Sequence, residues 1–298
     1  MPVSPRSLLA HALERLDGVG RISAGRLLRY FESYEALTSF PREQVLTRLK
    51  SAPNGGRLVD RLFDRAEMEP ILANSAAELG ALTATGITPL AAGDPGWPAG
   101  IALLPAAEQP NLLYVYGATG VLRRPLVAFF GKATLRTEAF EYAQGLAVFL
   151  ASRGIHPVIG AAHGFDVVLA KLSASPESPA AALMTCACGL AQIAPPVRPT
   201  VSATVRAGGA LMSSFALHHP HYPHQDDDQA LLMAATASAG VFLDPAPGEP
   251  AWKALEWMLA THQPVFATTD GNHALPKAVH LLASDMDQEW VAASLTLT

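Results

Sequence analysis

Residues 125–170 read PLVAFFGKATLRTEAFEYAQGLAVFLASRGIHPVIGAAHGFDVVLA. The run Pro125–Phe130 is apolar throughout and stops at Gly131. Polar turn residues follow, then a helical pattern over Thr137–Arg153. Pro157–Ile159 is a second short apolar run, closed by Gly160-Ala161-Ala162-His163-Gly164, and Asp166–Ala174 again reads as a helix. A strand that is apolar on both sides needs cover on both sides, so strands of this kind alternating with helices predict a parallel sheet between helical layers. The pattern continues outward. Ala180–Cys186, Ala210–Met212, Gly240–Leu243 and Pro264–Ala267 are further short apolar runs, with a helix expected at Trp252–Thr261. The fold class is α/β, with right-handed crossovers and any ligand expected at the carboxyl ends of the strands.

Toward the N-terminus the period changes. Leu8, Leu9, Ala12, Leu13 and Leu16 mark one apolar helical face, Asp17-Gly18-Val19-Gly20 breaks it, and Ser23–Phe31 begins a second helix. Helical stretches follow at Arg42–Leu49 and Gly56–Leu79, before the turn chemistry of Gly86 and Gly93-Asp94-Pro95-Gly96. The expected organisation is a small all-helical domain over 1–75, a connector with short strands at Thr88–Ala91 and Asn111–Tyr116 over 76–122, and a Rossmann-like parallel-sheet domain over 123–298.

The chain has 298 residues, of which 50% are hydrophobic and 16% charged, which suits a well-buried sheet and argues against long disorder. No apolar run reaches the roughly 18–20 residues of a membrane helix. Cys186 and Cys188 are one residue apart and read as small core residues of a cytoplasmic protein rather than a disulfide pair. Net charge is −5, but it is uneven: residues 1–70 hold 11 Lys+Arg against 9 Asp+Glu, and the rest hold 10 against 17. The N-terminal part is therefore the better electrostatic candidate for nucleic acid.

Residues 16–28, LDGVGRISAGRLL, have the form of a helix-hairpin-helix, or SAM-like, element. Gly18 and Gly20 permit a tight turn that lets backbone N–H groups face a phosphate, and Arg21 and Arg26 add attraction to the same backbone. The alternative is a helical domain that merely packs.

Several segments together resemble the DNA-processing protein A (DprA/Smf) family over roughly residues 8–283. Gly93-Asp94-Pro95-Gly96-Trp97-Pro98 is similar to its "GDPxYP" lead-in, and Leu112–Gly117 to its "P-x-L-Y-x-x-G" strand. Val127–Gly131 stands where the family has "V-A-I-V-G-S-R", and Ile159–Asp166 where it has "S-G-x-A-x-G-I-D". Cys188-Gly189-Leu190 and Gly209–Phe215 resemble "G-C-G-L-D" and "G-x-L-x-S-E-F-P". The resemblance implies a non-enzymatic protein, without cofactor, that binds and protects single-stranded DNA in transformation or recombination. It also implies a homodimer through the Rossmann-like domain and a RecA-type recombinase as partner. Gly131, Lys132, Gly160 and Gly164 would line the strand-end pocket, with Arg136 close by as a further DNA contact. Gly160, Gly164 and Asp166 would cradle a phosphate at a helix N-terminus, the alternative for Asp166 being a helix residue and nothing more. Two departures stand out. Ala133 occupies the family's arginine position, and its "P-x-R-N-R" segment reads Pro223-His224-Gln225-Asp226-Asp227-Asp228, with no arginine anywhere after Arg206. A carboxylate about 6 Å from a phosphate repels it by roughly 0.7 kcal/mol in water, and more in a cleft. A degenerate paralogue that binds a protein partner without DNA is one alternative. A nucleotide phosphoribohydrolase is another, from the loop Pro247-Gly248-Glu249-Pro250.

His218, His219, His221 and His224 fall within seven residues and just before three aspartates. Imidazole and carboxylate suit a divalent metal. The competing expectation is a polar loop leading into a helix whose positive end carries the aspartates.

Overall fold

The computed structural model describes residues 3–49, 52, 54–132, 135–162, 164–175, 180–283 and 287–295, so Ala133 and His163 lie outside the described residues. It divides into two compact units, residues 1–97 with 105–114, and residues 98–104 with 115–298.

The first unit holds helices α1 (Pro5–Arg15), α2 (Arg21–Leu28), α3 (Tyr34–Thr38), α4 (Arg42–Arg48), α5 (Gly55–Phe63) and α6 (Arg65–Ala84), then strand β1 (Ile87–Ala91). Local chemistry sets the ends. Ser4 caps α1 by accepting from Ser7 N at 2.9 Å, with Pro5 at its first position. Gly18, at φ +87°, turns the chain between α1 and α2. The single helix expected over 56–79 is two: Asp64 leaves the helical conformation (ψ 101°) and caps α6 by accepting from Ala66 N at 3.0 Å. Leu9, Leu13, Leu16, Leu27, Phe31, Leu37, Val45, Leu62, Met68 and Leu79 form its core. Asp94 ties the unit's ends together, accepting from Ser4 Oγ at 2.8 Å, Ser7 Oγ at 2.7 Å and Ala91 N at 2.8 Å. The boundary expected at residue 75 falls inside α6, and the expected connector is shared between the two units.

Strand β2 (Leu112–Gly117) carries the chain into the second unit. There follow β3 (Leu126–Phe130), α7 (Thr137–Ser152), β4 (His156–Gly160), α8 (Phe165–Ser173), β5 (Leu183–Thr185), α9 (Arg198–Arg206) and β6 (Ala210–Ser213). The unit ends with α10 (Gln225–Thr236), β7 (Ala239–Phe242), α11 (Pro250–Ala260), β8 (Val265–Ala267), β9 (His280–Leu281) and α12 (Asp287–Ser294). Its strands pair in the order β6-β5-β4-β3-β7-β8-β9, and every one of these pairs is parallel. The fold is thus the α/β, Rossmann-like arrangement expected. All residues of β3, β4, β5 and β7 are buried, which is why they lack polar alternation. Helix α7 turns Ala139, Ala143, Leu146, Ala147 and Leu150 inward at helical spacing. Strand order reverses beside β3, which has β4 on one side and β7 on the other. A crevice outside the carboxyl ends is expected at such a reversal. No helix among the described residues is long and apolar enough to cross a membrane.

Candidate nucleic-acid interface

Each unit carries a candidate surface. In the first, α1 and α2 form the expected hairpin. Gly20 stands at the N-cap of α2 with no side-chain cap, and a Cβ built there would meet nothing within 4 Å. The first turn of α2 thus has no side-chain cap and open space beside its N-cap residue. Arg21 is exposed and donates to Ala107 O at 3.1 Å, while Arg26 sits in the last turn. Gly18 lies in a small cavity of about 240 Å³ with Asp17, Asn54, Arg57, Leu58 and Arg61. Arg61 bonds Asp17 O and pairs with Glu67. The sequence reading missed Arg57 and Arg61. Both belong to α5, some forty residues from the glycine they neighbour.

In the second unit a cleft of about 320 Å³ opens at the carboxyl ends of β3, β4 and β7. Gly131, Lys132, Gly160 and Asp166 line it, as expected, together with Asp226, Gln229 and Glu249. Phe130, Met233, Leu243 and Pro245 supply apolar walls, and Phe130 stacks on Phe242 with centroids 4.4 Å apart.

The two glycines that close β3 and β4 are explained by close packing. A Cβ on Gly131 would come within 2.7 Å of the Phe165 ring, and one on Gly160 would collide with the Asp166 carboxylate. Gly164, expected in the pocket lining, does not line the cleft; it has φ +78° and is the N-cap residue of α8, where the backbone turns into the helix. Gln229 donates to Thr185 O at 2.7 Å and holds the β5 end against α10. Asp166 accepts weakly from Ala162 N at 3.4 Å. Burial pushes its carboxyl up to about 6, with the backbone N–H groups of Ala162 and Gly160 drawing it partly back.

The two cations nearest the end of β3 are engaged by acids. Lys132 Nζ lies 3.0 Å from Glu249. Arg136 does not line the cleft: its Nε and Nη2 reach Asp244 at 2.8 and 2.9 Å, and Nη2 also donates to Thr269 O at 3.2 Å. Asp244 is buried, takes φ +49°, and accepts from Thr268 Oγ1 at 2.8 Å. With every group ionised, Lys132 against Asp166, Asp226 and Glu249 leaves the cleft at 1 − 3 = −2.

The aspartate run occupies the first turn of α10, where the helix dipole favours it. Of the three, only Asp226 lines the cleft, and Asp227 pairs with Lys253 at 3.6 Å. The histidines just before it do not converge as a metal site would require. His219 stacks on Phe215 and contacts Gln225, His221 pairs with Asp226 at 2.7 Å, and His224 stacks on Tyr222. Among the described residues no three His, Cys, Asp or Glu side chains are grouped to hold a metal, so the expectation for His218, His219, His221 and His224 is replaced by a ring-stacked loop entering α10. Cys186 and Cys188 are buried and free, with Cys186 Sγ donating to Cys188 O at 3.2 Å.

Residues 88–283 match the family model described as DNA recombination-mediator protein A. Two solved structures share the fold. DNA processing protein A from Streptococcus pneumoniae is 12% identical, covers 96% of this chain and 97% of its own, and gives a TM-score of 0.67. DNA processing protein A from Helicobacter pylori, solved for its single-stranded DNA binding mode, is 17% identical, covers 71% of this chain and 96% of its own, and gives 0.58. At these identities the likeness speaks for the fold. No curated protein matches the chain.

Proposed function

The chain belongs to the DNA recombination-mediator protein A family, and from that premise we propose that it binds single-stranded DNA, without turning it over, through the backbone of its helical hairpin. The observation that carries the single-strand reading is the family match over residues 88–283, 196 of 298; the hairpin lies ahead of that match and is assigned on its own glycine turn and arginines. Gly18 and Gly20, with Arg21 and Arg26, supply the positively charged, sequence-blind contact that places a protein on a phosphate backbone. The strand-end cleft plays a smaller part, because Lys132 is neutralised by Glu249 and Asp166 and Asp226 add negative charge. A protective role in recombination or DNA uptake, a homodimer and a RecA-type recombinase as partner complete the proposal.

The test is oligo(dT) affinity as a function of salt. Each phosphate neutralised on a single strand contributes roughly 0.7 to the slope of log affinity against log salt. Arg21→Ala with Arg26→Ala is expected to lower that slope by about 1.4 and to weaken binding most at low salt. An unchanged slope removes the hairpin from the interface.

The neutralised cations favour one second reading, in which the Rossmann-like unit serves a protein partner and no DNA. Charge removal separates the two. If a strand reaches the cleft, Asp226→Asn with Glu249→Gln lifts two repulsions of about 0.7 kcal/mol each and frees Lys132. Oligo(dT) affinity should then rise about tenfold at low salt, fading as salt screens the charges. No gain at any salt would leave the cleft to the protein partner.

A further inference from the structure

The helical unit leaves aromatic surface exposed beside its arginines. Tyr30, at the end of α2, is 54% exposed and Phe40, between α3 and α4, is 44% exposed. Both rest on the same buried ring: the Phe31 centroid lies 6.5 Å from Tyr30 and 5.3 Å from Phe40. The guanidinium of Arg48 lies over the Tyr30 ring at 4.0 Å, and exposed Arg29 donates to Gln109 at 3.2 Å. The acids nearby in sequence are already committed in part. Glu32 pairs with Arg6 at 3.2 Å, whereas Glu35, held below the usual carboxylate range by hydrogen bonds to its own backbone N–H and to Ser33, stays charged. Arg42 is itself paired, with Asp60 at 2.6 Å. Counting the paired Arg6 and Asp60 with residues 21–48, six arginines stand against Glu32, Glu35, Glu43 and Asp60, 6 − 4 = +2, in a chain whose total is −5.

Folding gains little from leaving two aromatic rings in water, since burial of a ring is worth a few kcal/mol. Half-exposed rings on a firm base, one of them with a guanidinium stacked over it, offer an unpaired nucleobase what it needs: flat aromatic and guanidinium surface for the base and a cation within reach of its phosphate. We infer that Tyr30 and Phe40, flanked by Arg29 and Arg48, form a platform on which successive bases of a single strand stack. Positive charge beside the rings selects nucleic acid over an apolar protein partner, and the need for an open base face selects single strands over duplex. The platform rests on the single-strand reading above and lies outside the family match, which begins at residue 88.

Stacking and charge give separable signals. Tyr30→Ala is expected to weaken oligo(dT) binding about tenfold with the salt slope unchanged, because no phosphate contact is lost. Arg48→Ala should lower the slope instead. Phe40 packs on Phe31, so Phe40→Trp and Tyr30→Trp serve as variants that preserve the fold. Each should keep affinity, and the added indole emission should be quenched by oligo(dT) but not by an abasic strand of equal length, which carries the phosphates without the bases. Wild-type binding that survives Tyr30→Ala undiminished, or an abasic strand bound as tightly as oligo(dT), would overturn the platform while leaving single-strand binding intact. Absence of oligo(dT) binding by the wild-type chain would overturn both.

Discussion

Arg136→Ala is expected to lower the thermal midpoint of the second unit by roughly 6–12 °C. The reason is asymmetry within its ion pair. Asp244 has a side chain only 7% exposed, whereas Arg136 is 45% exposed. Removing the arginine leaves a buried carboxylate whose remaining side-chain partner among the described residues is the Thr268 hydroxyl, at 2.8 Å. Stranding a buried charge costs about 3 kcal/mol, and each kcal/mol moves the midpoint by about 2–4 °C at this domain size. Asp244→Asn removes the charge itself and should cost less than half as much. Asparagine also tolerates the left-handed backbone at φ +49°. The sequence reading gave Arg136 to DNA. The structure gives it to a clamp joining the start of α7 to the loops after β7 and β8. Scanning calorimetry with oligo(dT) titration separates the roles. A midpoint unchanged within about 1 °C, with a reduced salt slope, would return Arg136 to the nucleic acid.

What the sequence disclosed depended on how local the cause was. The buried strands could be read because continuous apolar runs ending at Gly131 and Gly160 need no knowledge of partners. The helical hairpin was equally plain, since glycines at 18 and 20 interrupt an apolar period. Helix α9 was not seen. Its segment RPTVSATVR mixes Thr and Val, which disfavour helix locally, and it is held by burial of Thr200, Val201 and Thr204. The break at Asp64 was missed because a capping carboxylate inside a helical period looks like one more polar position.

The candidate site was legible in its glycines, Lys132 and Asp166, and no further. Glu249 stands 249 − 132 = 117 residues from the lysine it neutralises, and Asp244 stands 108 from Arg136, so no spacing rule reveals either pairing. The aspartates looked like a block facing the groove, but helical geometry turns one into the cleft and sends another to Lys253. Proximity along the chain also misled for the histidines. Four rings within seven residues suggested shared ligation, and His219, His221 and His224 instead each found a different neighbour.

Asp166→Asn should stabilise the protein near neutral pH and do nothing in acid. Burial raises the Asp166 carboxyl from an ordinary 3.8 to about 6. Between pH 4 and 6 the folded chain therefore keeps a proton that the unfolded chain has released. Stability falls as pH rises through that window and stays at its lower level above it. A shift of about 2 units corresponds to roughly 3 kcal/mol. The asparagine variant never ionises, so its advantage over wild type should grow from near zero at pH 4 to a few kcal/mol at pH 7–8, read as a difference in denaturant midpoint. A difference that stays constant with pH would show that burial does not govern this carboxyl. The same proton touches function. Protonating Asp166 takes the cleft from −2 to −1, so where a strand reaches the cleft, oligo(dT) affinity should strengthen between pH 7 and 5.5 in wild type. In Asp166→Asn that part of the dependence should be lost, because the charge it would remove is already gone.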